Sequence, residues 1–126
     1  MPVGCRIVDA ALTPGSATRE RAVAAFRDEA CGPSRSWANG PGDRYAKHRH
    51  DEHKILFCLG GSIVFHTEAG DLELGEGDRL DLPAGIVHSA TVGPDGCECV
   101  EAYREGPGSP WLPDGAGAVA PERPAR

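Results

Sequence analysis

The chain has 126 residues, a length that builds one packed core. Nineteen acidic against 13 basic residues give a formal charge of −6, which repels phosphate backbones and anionic lipid; a small molecule is therefore a better partner than nucleic acid or a membrane. The longest apolar run, "ILFCL", cannot cross a bilayer, and "MPVGCRIVDAALTPG" lacks the basic start and apolar stretch of an export signal, so the expectation is a soluble cytoplasmic protein.

The first element is a short helix within residues 16–33. Ser16 or Thr18 can cap it, Val23, Phe26 and Ala30 recur at helical spacing, and Gly32-Pro33 ends it. From Trp37 to Tyr103 the pattern changes to short runs separated by the turn signals "NGPGD", "LGG", "EAGD", "GEGD", "PAG" and "GPDG". That spacing predicts an all-β antiparallel sandwich or barrel. The expected organisation is an N-terminal segment with the helix (1–36), a β domain (37–104) and a Pro/Gly/Ala-rich tail (105–126), in which Trp111 and Leu112 offer anchors for a strap across the sheet. Five cysteines (Cys5, Cys31, Cys58, Cys97, Cys99) cannot all pair and lack a CxxC framework, so they are expected to be mostly reduced. Cys97 and Cys99, two apart on a strand, put two small side chains on one face.

The segment "HRHDEHK" carries the first candidate chemistry. Alternate side chains of a strand share a face, so His48 and His50 point the same way. A second run, "GDRLDLPAGIVHSATV", brings His88 straight after a Pro-x-Gly turn. If the two strands stack with these faces inward, three imidazoles meet inside a barrel. His53 falls on the opposite parity, and it and His66 are expected to be surface or hydrogen-bonded side chains. Trp37, Tyr45 and Phe57 are candidate pocket walls, although aromatic residues in such places are more often packing.

These two runs resemble the paired motifs of the cupin superfamily, in its small single-domain form. Gly42, His48, His50 and Gly61 fall in register with the first motif, with Lys54 at its acidic position; Gly77, Pro83, Gly85 and His88 match the second, with Val92 at its asparagine. The resemblance implies a double-stranded β-helix, or jelly roll, that holds a divalent metal on two histidines, a carboxylate and a third histidine. Carried to this sequence, the ligands are His48, His50 and His88. The metal would be a divalent transition ion, with Fe, Zn, Ni, Cu and Mn all open.

The carboxylate does not carry over. An ammonium about 4 Å from a divalent ion would be repelled by about 8 kcal/mol at an effective dielectric near 20. Three outcomes stay open: Lys54 is neutral or turned aside, leaving three histidines; Lys54 takes the metal's place and bonds an acid such as Glu52 or Glu73; or Glu52 or His53 reaches in. The implied function is chemistry on a small molecule at an open metal position, of dioxygenase, isomerase or lyase type, with Lys54 as a general base or anion clamp. The alternative is a non-catalytic ligand-binding or sensor domain, metal-free with Lys54 at the metal position. Cupins commonly pair through a sheet edge, so a homodimer is expected.

Overall fold

Two strands organise the architecture because each is long enough to serve two sheets. The computed structural model describes residues 9–104: β1 (Ala11–Thr13), α1 (Arg19–Asp28), β2 (Arg35–Asn39), β3 (Arg44–His48), β4 (His53–Thr67), β5 (Gly70–Gly75), β6 (Arg79–Leu82) and β7 (His88–Arg104). Trp111, Leu112 and the rest of the expected tail lie outside the described residues. Every ladder is antiparallel. β4 and β7 pair along most of their length, and each changes its second neighbour part-way: β4 from β6 to β5, β7 from β3 to β2. The chain therefore rolls into a double-stranded β-helix, as the motifs implied, with one short helix on its flank.

The change of neighbour explains two turn signals that are not turns. "LGG" lies inside β4 and "GPDG" inside β7, where the β4–β7 register shifts between Cys58 and Gly60 and again between Gly61 and Ile63. Glycine and proline there bend two long strands rather than end four short ones. Gly61 shows why only glycine serves: its φ is +69°, and a Cβ would lie 1.9 Å from the Gly96 carbonyl oxygen. Gly42, Gly77 and Gly85 also have positive φ, so all four motif glycines mark backbone that a side chain would strain.

β4 is buried on both faces. Leu56 and Cys58 join Tyr45, Ile63, Phe65, Leu74, Leu80, Leu82, Ala90, Val92, Cys97 and Cys99 in the barrel interior. On the outer face Ile55 and Phe57 meet Val100, Ala102 and the Ala22 and Phe26 side chains of α1, with the Phe26 and Phe57 rings edge to face at 5.6 Å. The helix begins as expected, with the Thr18 hydroxyl accepting from the Arg21 N–H at 3.2 Å. It ends earlier than Gly32-Pro33 suggested: α1 stops at Asp28, and Ala30, at φ 60°, is exposed beyond it. The buried stripe is accordingly Ala22 and Phe26.

Candidate metal centre

His48 is the last residue of β3 and His88 the first of β7, and the two face each other in the ladder. His50 lies past the end of β3, where its backbone carbonyl accepts from the Gly85 N–H at 2.8 Å. The Pro-x-Gly turn thus fastens the segment that carries the second histidine, which keeps its side chain on the side that strand parity assigned. The rings sit 4.3 Å (His48–His88), 4.9 Å (His48–His50) and 5.4 Å (His50–His88) apart between centroids, and one nitrogen of each lies within 4.8 Å of the others.

Hydrogen bonds settle which nitrogen faces the centre. Nδ1 of His88 donates to the Ile86 carbonyl at 2.9 Å and Nδ1 of His48 to the Ala46 carbonyl at 2.6 Å, because a carbonyl can only accept. The proton is thereby held on Nδ1 and the Nε2 lone pair is left free to bind, the arrangement that outer hydrogen bonds give to metal-ligating imidazoles. The Nε2 atoms of all three are buried, and those of His50 and His88 have no hydrogen-bond partner. Burial, helped by the charge of Lys54, pushes His50 down to about 2. Burial likewise lowers His88 to about 4 against the opposing hydrogen bond to Ile86. Both rings are therefore neutral near pH 7, so the centre offers neutral nitrogen donors that suit a divalent transition ion.

Lys54 is 1% exposed and faces inward, in line with Leu56 and Cys58. Its Nζ lies 2.9 Å from Oε1 of Glu101, which is fully buried. The acid is therefore neither Glu52 nor Glu73: Glu73 is exposed on β5, and Glu101 comes from β7, next to β4. Oε1 also accepts from Trp37 Nε1 at 2.9 Å, while Oε2 is buried with no hydrogen-bond partner. The Lys54–Glu101 contact is an ion pair without good hydrogen-bond direction. Tyr103 follows on the same face of β7, its hydroxyl 3.3 Å from His50 Nδ1; burial and then the Glu101 charge raise its phenol well above the ordinary value.

Sequence reasoning missed Glu101 and Tyr103, although a signal was present. In "CECVEAYR" the period of two puts Cys97, Cys99, Glu101 and Tyr103 on one face, and all four are buried. The other histidines stay outside the centre: His53, on the opposite parity, meets Asp81 through Nε2 at 2.8 Å, and His66 is hydrogen-bonded as expected, bridging Asp71 and Thr91 at 2.9 Å each. Of the aromatic candidates, Trp37 and Tyr45 pack edge to face at 5.5 Å on the interior side, whereas Phe57 lies on the outer face against α1.

The family model for the AraC-like ligand binding domain matches residues 31–103. The chain belongs to that family of cupins. It is similar to the quercetin 2,3-dioxygenase of Bacillus subtilis (strain 168), 39% identical over 54 residues, which cover 41% of this chain and 16% of that one. It is also similar to the acireductone dioxygenase of Branchiostoma floridae, 36% identical over 75 residues, 55% of this chain and 41% of that one. Among solved structures an oxalate decarboxylase variant from Bacillus subtilis superposes with a TM-score of 0.53 at 27% identity, covering 58% of this cupin and 21% of that chain. The cupin thus spans less than half the length of each of these relatives. Among the described residues no helix is long and apolar enough to cross a membrane.

Proposed function

We propose that this cupin holds a divalent transition ion on His48, His50 and His88 and acts on a small molecule there, by chemistry of dioxygenase, isomerase or lyase type. The observation that carries the reading is the convergence of three imidazoles, each offering a nitrogen within 4.8 Å of the others and each with its Nε2 atom buried. The likeness to two dioxygenases supports the class of reaction. The ion, when bound, supplies Lewis-acid or redox chemistry at the positions that three protein ligands leave open.

The protein's own contribution follows from Lys54. With Glu101 at 2.9 Å the pair carries no net charge, so the repulsion expected of a lone ammonium is largely offset. The ammonium protons not committed to Glu101 receive an anionic group of the small molecule, and the apolar walls beside them exclude water. Trp37 holds Glu101, and Glu101 holds Lys54. In this reading Lys54→Met abolishes turnover and leaves metal content unchanged.

The second reading is a ligand-binding domain without chemistry. It is favoured by the family's own description and by a buried cation where the cupin motif has an acid. Elemental analysis of protein purified without a metal-binding tag or chelator separates the two. Near one transition ion per chain, lost in His48→Ala and His88→Ala, supports the first. Metal-free protein that cannot be loaded with Fe, Zn, Ni, Cu or Mn supports the second. The partner set proposed for either reading is a small molecule and a second copy of the chain, which gel filtration tests directly.

A further inference from the structure

A cluster of thiols lies further along the interior from the histidines. Cys58 of β4 and Cys97 and Cys99 of β7 are all free and buried in the inner core. The Cys99 side chain is fully buried beside the other two, and the Cys58 thiol donates to the Gly60 carbonyl at 3.3 Å.

The ladder decides which pair can be joined. Cys58 and Cys99 are direct cross-strand partners. The Cys58 N–H donates to the Asp78 carbonyl at 3.0 Å and its carbonyl accepts from the Gly77 N–H at 2.7 Å. Both backbone groups therefore point away from β7, and Cys58–Cys99 is a non-hydrogen-bonded pair, the kind whose Cα atoms approach to about 4.5 Å. That separation falls inside the range of about 4.4–6.8 Å that a disulfide spans. Cys97 and Cys99, two apart on one strand, have Cα atoms about 6.6 Å apart and parallel Cβ vectors, which a disulfide bridges only with distortion. Both side chains are fully buried, so a reagent reaches them through local opening of the ladder. Immediately beyond Cys58 the ladder is broken by the two register shifts, and Gly61, Pro94 and Asp95 there are exposed.

We propose that Cys58 and Cys99 form a reversible cross-strand disulfide when the protein meets a hydroperoxide. One thiol's sulfur attacks the peroxide: an S–O bond forms, the O–O bond breaks, and the leaving hydroxide takes up the thiol proton as water. The second sulfur then attacks the sulfenic acid; the S–S bond forms, the S–O bond breaks, and the departing hydroxyl leaves as water with the second proton. Two thiols lose two electrons and one hydrogen peroxide becomes two waters. The first step suits Cys58, whose thiol the neighbouring Cys99 thiol lowers below the ordinary value. The bond ties β4 to β7 two pairs along from Leu56–Glu101 and four from Lys54–Tyr103, on the strands that carry the buried ion pair.

The test treats the intact chain with a small molar excess of hydrogen peroxide, followed by thiol counting and non-reducing peptide mapping. Cleavage after Lys54, Arg79 and Arg104 puts Cys58 in the peptide 55–79 and Cys97 with Cys99 in 80–104; a further cut after Glu98 separates the last two. The expected result is a loss of two thiols per chain, a linkage between the fragments bearing Cys58 and Cys99, and full recovery with dithiothreitol. Cys97→Ser retains the bond and Cys58→Ser loses it; should Cys58→Ser not fold, the wild-type map decides alone. No loss of thiols, a Cys97–Cys99 linkage, or oxygen added irreversibly to Cys58 or Cys99 overturns the proposal.

Discussion

Two sets of charged side chains tie this small barrel together, and their surroundings give them opposite roles. On the outer face Arg79 holds Glu29 at 2.7 Å and Asp81 at 2.9 Å, Arg104 also reaches Glu29, and His53 meets Asp81. These groups are partly solvated, and each acid has at least two partners. The hydrogen bond from Arg79 helps lower Glu29, and hydrogen bonds from His53 and Arg79 bring Asp81 to about 2 against the upward pull of burial. Inside the barrel Lys54 and Glu101 are 1% and 0% exposed, and Glu101 Oε2 has no hydrogen-bond partner. A well-packed apolar pair of similar volume is commonly as stable as a buried ion pair, or more so. The outer network suits stability; in the proposed function the inner pair serves by what it presents to the imidazoles beside it.

The largest effect that separates the two regions should come from breaking the inner pair. Lys54→Met leaves Glu101 buried without its cation and should cost about 3–5 kcal/mol in urea or thermal unfolding. The double variant Lys54→Met/Glu101→Gln should recover most of that loss. A double variant no more stable than the single one would show that the pair is a stability device after all.

Acid should read the histidines next. The folded values of His50 and His88 lie near 2 and 4, below the ordinary 6.5, so the unfolded chain binds more protons as the pH falls through 6.5. Stability is thus fully present above pH 6.5 and declines on acidification, reaching its full loss only below the folded values. In chelated protein unfolding should ease between about pH 6.5 and 5, where the carboxylates barely titrate. His50→Gln should flatten that slope, and an unchanged slope would contradict the burial argument.

The outer network should answer least. Arg104→Ala, at a side chain 38% exposed, should cost about 1 kcal/mol or less and weaken with added salt. A loss comparable to that of Lys54→Met would erase the distinction between the two regions.

How far the sequence reveals this arrangement depends on how local each signal is. The barrel and the three-histidine cluster were legible because their signals are local: turn glycines, strand parity, and a Pro-x-Gly turn before His88. Strand parity also placed Lys54 inside and His53 outside. The partner of Lys54 was not legible, because Glu101 reaches it only through the β4–β7 pairing, 47 residues on in sequence. The same pairing hid the bends at "LGG" and "GPDG", which read as turns until the strands are known to be shared by two sheets. It also hid the approach of Cys58 to Cys99.

The central claim is that three imidazoles hold an ion beside a neutralised ammonium, and anomalous scattering from a crystal grown without added metal tests it most directly. The account predicts one strong peak bonded to Nε2 of His48, His50 and His88, at an absorption edge that names the element, with Lys54 still turned to Glu101. Well-ordered imidazoles with no peak, in crystals soaked with each candidate ion as well as in native ones, would contradict it.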